Sequence, residues 1–139
     1  MIRRMLVVDD GSPSGERAFV AALDLARRLS AGLDMICVEE LPRFPATIDE
    51  VEETRADLGG AFAKVVEAAK VKAAAAGVPF AAHVVAGRPV SSVAEFVERR
   101  GYDLLVVGFM GHSALYNRVI GGVADRLIDL ARCTVMVVK

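Results

Sequence analysis

Cysteine is scarce in this chain: Cys37 and Cys133 are the only two thiols in 139 residues. Each sits in an apolar run, DMICVEE or ARCTVMVV. That placement excludes a disulfide framework or a metal knuckle, and both read as small core residues in a reducing compartment. An excess of charge of one sign is also missing. Lys and Arg number 17 against 18 Asp and Glu, a net charge of -1, so the broad electrostatic footprint that nucleic acid or an anionic membrane needs is absent. No apolar run approaches the ~20 residues of a membrane span, and the start MIRRMLVVDD is too short in apolar residues for a signal-peptide core. The expectation is a cytoplasmic protein with neither nucleic acid nor membrane as partner.

What is present is apolar material in short pieces. Hydrophobic residues make up 54% of the chain and the mean hydropathy is +0.42. That suits strands buried on both faces better than a half-solvated antiparallel sheet. Five apolar runs recur: MLVVD (5–9), LDMICV (33–38), PFAAHVVA (79–86), DLLVVG (103–108) and TVMVVK (134–139). An amphipathic stretch fills each gap, the signature of successive βα units and a parallel sheet in one α/β domain covering 1–139. Ser12 followed by Pro13 predicts the first helix start, with Phe19, Ala22, Leu23, Ala26 and Leu29 on its inner face. A second helical pattern spans about Thr47 to Ala76. Gly59 and Gly60 weaken its middle, so a late start or a bend there is open, and residues 41–58 are expected to be the most mobile. Pro89 opens a third helix that Gly101 ends. A fourth runs from about Gly122 to Arg132, with Val123, Leu127, Leu130 and Ala131 inward.

In doubly wound sheets ligands bind beyond the carboxyl ends of the strands, where strand order reverses. The candidate site therefore comprises Asp9 to Ser12 after the first strand, Val38 after the second, and residues 108–122 after the fourth. In GFMGHSALYNRVIGG, Gly108, Gly111, Gly121 and Gly122 surround the entry to the last helix. Glycines there let backbone N–H groups approach an anion at a helix N-terminus, although glycines also simply make turns. His112 and Arg118 lie in the same loop, as phosphate contacts or as solvated side chains. His83, in an apolar strand, reads as a satisfied core or edge histidine.

The loop resembles the universal stress protein motif G-x2-G-x9-G-[ST], with Gly108, Gly111 and Gly121 at its glycine positions. MLVVDDGSPSGERA, GRPVSSVAEF and ARCTVMVVK are similar to other parts of that family, so the resemblance covers the whole chain. It implies a five-stranded sheet of order 3-2-1-4-5 and an adenine nucleotide, ATP or AMP, with any Mg²⁺ carried by the nucleotide. Asp10 and Val38 would then meet adenine and ribose, Gly108 and Gly111 the ribose and first phosphate, and Gly121 with Gly122 the outer phosphates. Gly122 departs from the motif's closing Ser or Thr, and a hydroxyl bonded to phosphate is worth roughly 1.5 to 3 kcal/mol.

Asp9 is the second departure, because the family usually has an apolar residue there. Both carboxylates would meet one metal ion only if the strand had ended by Asp9. The alternative is that Asp9 accepts a hydrogen bond from the loop backbone or caps the first helix region. Other functions fit less well. A phosphoacceptor receiver domain needs an aspartate where Gly108 stands, and neither G-x-G-x-x-G nor G-x-x-x-x-G-K-[ST] occurs. No general base or nucleophile stands out beside the phosphate positions, so the expectation is a binding module in stress response or signalling, with slow ATP hydrolysis as the ceiling. The last strand, Thr134 to Val138, should be an unprotected sheet edge, which predicts a homodimer. A nucleotide-free interaction protein using that surface is the other reading.

Overall fold

Ser12 and Pro13 start the first helix as expected. The Ser12 hydroxyl accepts the N–H of Gly15 at 3.1 Å, and proline occupies the first turn, where its missing N–H costs nothing. The computed structural model describes residues 1–40, 60, 62–109 and 122–139. Along them run β1 (Arg4–Val8), α1 (Pro13–Leu29), β2 (Gly32–Glu40), α2 (Ala63–Ala76), β3 (Phe80–Gly87), α3 (Pro89–Arg100), β4 (Leu104–Gly108), α4 (Val123–Leu130) and β5 (Thr134–Val138). The strands form one sheet in the order β3-β2-β1-β4-β5, and every pairing is parallel. Strand order thus reverses between β1 and β4.

Strand periodicity explains why the apolar runs are nearly continuous. Met5, Val7, Leu33, Met35, Cys37, Leu104 and Val106 point to one face, where α1 and α2 cover them. Leu6, Ile36, Val38, Leu105 and Val107 point to the other, under α3 and α4. A strand sandwiched in this way needs apolar residues at every position. Each fully buried Leu, Ile or Val side chain contributes about 1.5 to 3 kcal/mol, so the central strands are the stable heart of the molecule.

The helix ends obey local chemistry. Gly77 and Gly101 terminate α2 and α3 in the left-handed conformation, with φ of 68° and 71°, where a side chain would be strained. Several details depart from expectation. Leu29 is exposed rather than inward, because α1 ends there and its chain leaves through a left-handed Ser30. Leu130 is likewise exposed, and α4 stops at Leu130 instead of Arg132. Ala124 takes the inner position beside Leu127. Of the alternatives left open for the second helix, α2 takes the late start, at Ala63. The rest of its expected span, 47–59, and the stretch 41–58 expected to be mobile lie outside the described residues. β1 stops one residue short of its apolar run, at Val8, and this matters for the site.

Candidate functional site

The turn from β1 into α1 is built by short-range hydrogen bonds. The Asp9 N–H still belongs to the sheet, donating to Ile36 O at 3.1 Å. Its side chain turns back instead, and Oδ1 accepts the N–H of Gly11 at 2.9 Å. Gly11 has φ of 81°, so the turn needs a glycine there. Asp10 Oδ1 accepts the N–H of Ser12 at 2.9 Å and also the Ser12 hydroxyl. Asp9 is therefore the backbone-bonded residue of the two readings offered by sequence. Because β1 has ended, both carboxylates do converge, but each has an oxygen committed to a backbone N–H. Among the described residues no group of three metal-ligating side chains forms.

Gly15 lies where this turn meets the first turn of α1. A Cβ there would sit 2.6 Å from Asp9 Oδ1 and 2.9 Å from Asp10 Oδ1, so the two carboxylates crowd one point that only a hydrogen can occupy. Burial pushes the Asp9 carboxyl above the usual carboxylate range, the Gly11 N–H pulls it back, and Asp10 and Glu16 push it up again. The same surroundings act on Cys37 beneath. Its thiol is pushed up to about 12 by burial, then by Asp9 and Asp10, which makes it an inert core group. A cleft of about 240 Å³ opens beside the turn between α1 and α2, with Asp9, Glu16, Phe19, Lys64 and Lys72 in its lining.

Gly108 ends β4 next door. Its glycine is required by close approach, since a Cβ would meet Ser14 O at 2.7 Å and Ser14 C at 2.9 Å. Left-handed backbone plays no part at this position. The head of α1 therefore packs directly on the end of β4. On the other flank, Val38 lies two residues past Ile36, the last residue of β2 in register with β1. Ile36 O faces β1, where it accepts Asp9 N–H. Strand alternation turns the Val38 backbone to the same side, beyond the end of β1. Its side chain is buried under α3, which leaves its backbone as the part of Val38 at this edge.

Asp10, Val38 and Gly108 thus stand at the carboxyl ends of three adjacent strands. Gly122 is the N-cap of α4, in extended conformation, with no side-chain cap and Asp125 in the first turn. Gly111, His112 and Gly121, like Arg118, lie outside the described residues. His83 is the satisfied edge histidine of expectation: its Nε2 lies 3.2 Å from Asp34 Oδ2. Two residues were missed by sequence reasoning, Ser14 and Gly15. A glycine inside the first helical turn was the available signal, because it costs about 1 kcal/mol relative to alanine and so asks for a packing reason.

The fold and this corner fit one family, whose model matches residues 1–139 and is described as the Universal stress protein family. The chain belongs to the universal stress protein family. Among curated relatives, the Universal stress protein YxiE of Bacillus subtilis is 29% identical, and the match covers both chains completely. A solved universal stress protein in complex with cAMP is 25% identical, with a TM-score of 0.77 over 99% of this chain and 97% of the other. The Arabidopsis thaliana family protein At3g01520, solved with AMP bound, shares the fold at 20% identity. Its TM-score is 0.67 over 99% of this chain and 91% of its own. No helix of the described residues is long and apolar enough to cross a membrane.

Proposed function

We propose that this universal stress protein binds an adenine nucleotide at the carboxyl edge of its sheet, where β1 and β4 part, and serves as a binding module in stress response or signalling. The observation that carries this reading is the meeting there of the Asp10 carboxylate, the Val38 backbone and the Gly108 end of β4. A carboxylate accepts ribose hydroxyls, and a free strand end reads the edge of a base. Every helix follows a parallel strand, so the N-termini of α1, α3 and α4 open on this same edge and favour an anion. Family members solved with cAMP and with AMP support an adenine nucleotide. Gly111, His112, Gly121 and Gly122 complete the site in this reading, and Mg²⁺ enters with the nucleotide if ATP is the ligand.

The charge of the described rim favours a ligand of low charge. Asp9, Asp10 and Asp125 bring carboxylates to it, and Gly122 contributes no hydroxyl. AMP or cAMP fits that balance better than free ATP. Turnover is not part of the proposal, since no described side chain is placed as a general base or nucleophile.

The test is chemical. Denatured protein is analysed for released nucleotides, and stripped protein is titrated with AMP, cAMP and ATP by calorimetry. Binding of at least one, weakest for metal-free ATP, is the expected result; no released nucleotide and no heat would leave the second reading.

That second reading rests on β5. It is an edge strand of five residues, TVMVV, and an unprotected apolar edge pairs with another chain. A homodimer through Thr134 to Val138, in the cytoplasm, is compatible with either reading. A monomeric mass by light scattering would remove it.

A further inference from the structure

Asp9 is 4% exposed, yet among the described residues its carboxylate accepts one hydrogen bond, from Gly11. A buried ionised carboxylate ordinarily collects two or three donors or an ion partner, because leaving it short is costly. Here protein donors are few, and because no buried side-chain oxygen among the described residues lacks a partner, the remaining Asp9 oxygen reaches the cleft rather than a sealed void. Asp10 crowds it from the turn and Glu16 from α1. Lys72 and Lys64 line the cleft from α2, and the Lys72 charge pulls the Asp9 carboxyl back, but as the weakest of the influences on it, with its ammonium 3.4 Å from Glu16. The Cys37 thiol beneath, from β2, stays protonated. The geometry therefore leaves Asp9 as the group at which this corner most readily gains a proton. The bond it makes is also the one that fixes the turn: Gly11 lies between Asp10 and Ser12, whose mutual bonds aim the Asp10 carboxylate.

We propose that Asp9 is a proton-linked positioning residue of the nucleotide site, holding the turn that presents Asp10 and taking up a proton from solvent when an anionic adenine nucleotide binds. The inference rests on the nucleotide reading above. A phosphate brought to this edge adds negative charge near two crowded carboxylates, and the least stabilised of them gives up its charge first. Linkage then requires affinity to rise as the pH falls through the Asp9 titration, and the proton returns to solvent on release. A neutral Asp9 still accepts from Gly11 through its carbonyl oxygen, so the turn persists in both protonation states.

The experiment uses cAMP, whose phosphodiester does not titrate between about pH 5 and 8, the range in which stability is usually greatest. Calorimetric titrations in two buffers of different ionisation enthalpy give the protons exchanged per site. The intact protein should take up a fraction of a proton, growing toward the acid end. Asp9→Asn should bind with no uptake and a flat pH profile, because the amide keeps the Gly11 bond without titrating. Asp9→Leu, which loses that bond, should bind about five- to tenfold more weakly, again without uptake. Wild-type uptake retained in Asp9→Asn, or no uptake by the intact protein despite measurable binding, overturns the proposal alone. Should either variant fail to fold, the carboxyl carbon shift of Asp9 in the intact protein is followed against pH. Its midpoint should rise on adding cAMP, and an unmoved midpoint in the saturated complex overturns the proposal. No heat and no shift change with cAMP, AMP or ATP sinks the nucleotide reading and this inference with it.

Discussion

Two groups of carboxylates on the same sheet are treated in opposite ways. Toward the amino ends of the strands, Asp103 accepts the N–H groups of both Arg3 and Arg4 at 2.9 Å, and these bonds hold its carboxyl below the usual range. On the same half, Asp34 Oδ2 receives the Tyr102 hydroxyl at 2.6 Å and lies 3.2 Å from His83 and 3.8 Å from Arg100. At the carboxyl ends, Asp9 and Asp10 crowd each other over Gly15, and Asp9 is pushed up. One half of the sheet surrounds its carboxylates with protein donors, while at the other Asp9 accepts a single bond among the described residues and borders a cleft. That asymmetry is what the proposed binding edge calls for in a fold whose apolar faces are otherwise alike.

Gly108→Ala breaks the crowded half most severely. The new methyl would press on the Ser14 backbone at 2.7 and 2.9 Å. Backbone in the first turn of a helix yields poorly, so the expected loss is about 2 to 3 kcal/mol. Thermal unfolding measures it, and a melting temperature within a degree or so of wild type would show that α1 floats free of β4.

Gly122→Ser tests whether the crowded half lacks only a donor for phosphate. The position has φ of -73° and ψ of -169°, which serine adopts readily at an N-cap, so the fold should gain a few tenths of a kcal/mol. Nucleotide affinity should rise about tenfold or more if the hydroxyl reaches phosphate, with adenosine unaffected. Equal gains for adenosine and AMP would mean that serine acts through α4 stability alone.

Tyr102→Phe attacks the donor-rich half. Tyr102 is buried, and its hydroxyl bonds Asp34 while burial and Asp34 push its own proton affinity up to about 12. Removing the hydroxyl leaves Asp34 with His83 and Arg100, so the loss should be modest, about 1 kcal/mol by chemical denaturation. A loss as large as that of Gly108→Ala would show the Asp34 cluster to be the more critical half.

Most of this architecture is legible in the amino-acid sequence because its causes are local. Alternating apolar runs and amphipathic gaps give five parallel strands, and Ser12-Pro13, Gly77 and Gly101 mark helix ends through backbone chemistry that acts within a few residues. Asp10, Val38 and Gly108 could be nominated for the same reason, since they follow strands. The role of Gly15 could not, because the oxygens that exclude its side chain come from a turn folded back over it. Gly108 was nominated for an anion and is also required by Ser14, a contact across more than ninety residues that periodicity does not encode. Leu29 and Leu130 kept the apolar spacing and are exposed: a helix pattern does not announce where its helix stops covering the sheet.

The smallest effects should sharpen the comparison through pH. Asp103 is held below the usual range by its two backbone donors, so its contribution is full at neutral pH and is lost as the pH falls through that depressed value. Asp9 is held above its ordinary value, chiefly by burial, so the folded state binds its proton more tightly than the unfolded chain does. Its contribution is full below the unfolded value and is lost as the pH rises through the raised one. Asp103→Asn should therefore flatten the acid side of the stability profile, and Asp9→Asn the slope above it, with some stability gained at neutral pH. Asp103 lies near the surface, where solvent and salt screen its bonds, so its effect should be the slighter. Urea unfolding from acid to neutral pH reads both slopes. Two variants that changed the profile in the same direction would contradict the opposition between the halves of the sheet, because only carboxylates shifted in opposite senses give slopes of opposite sign.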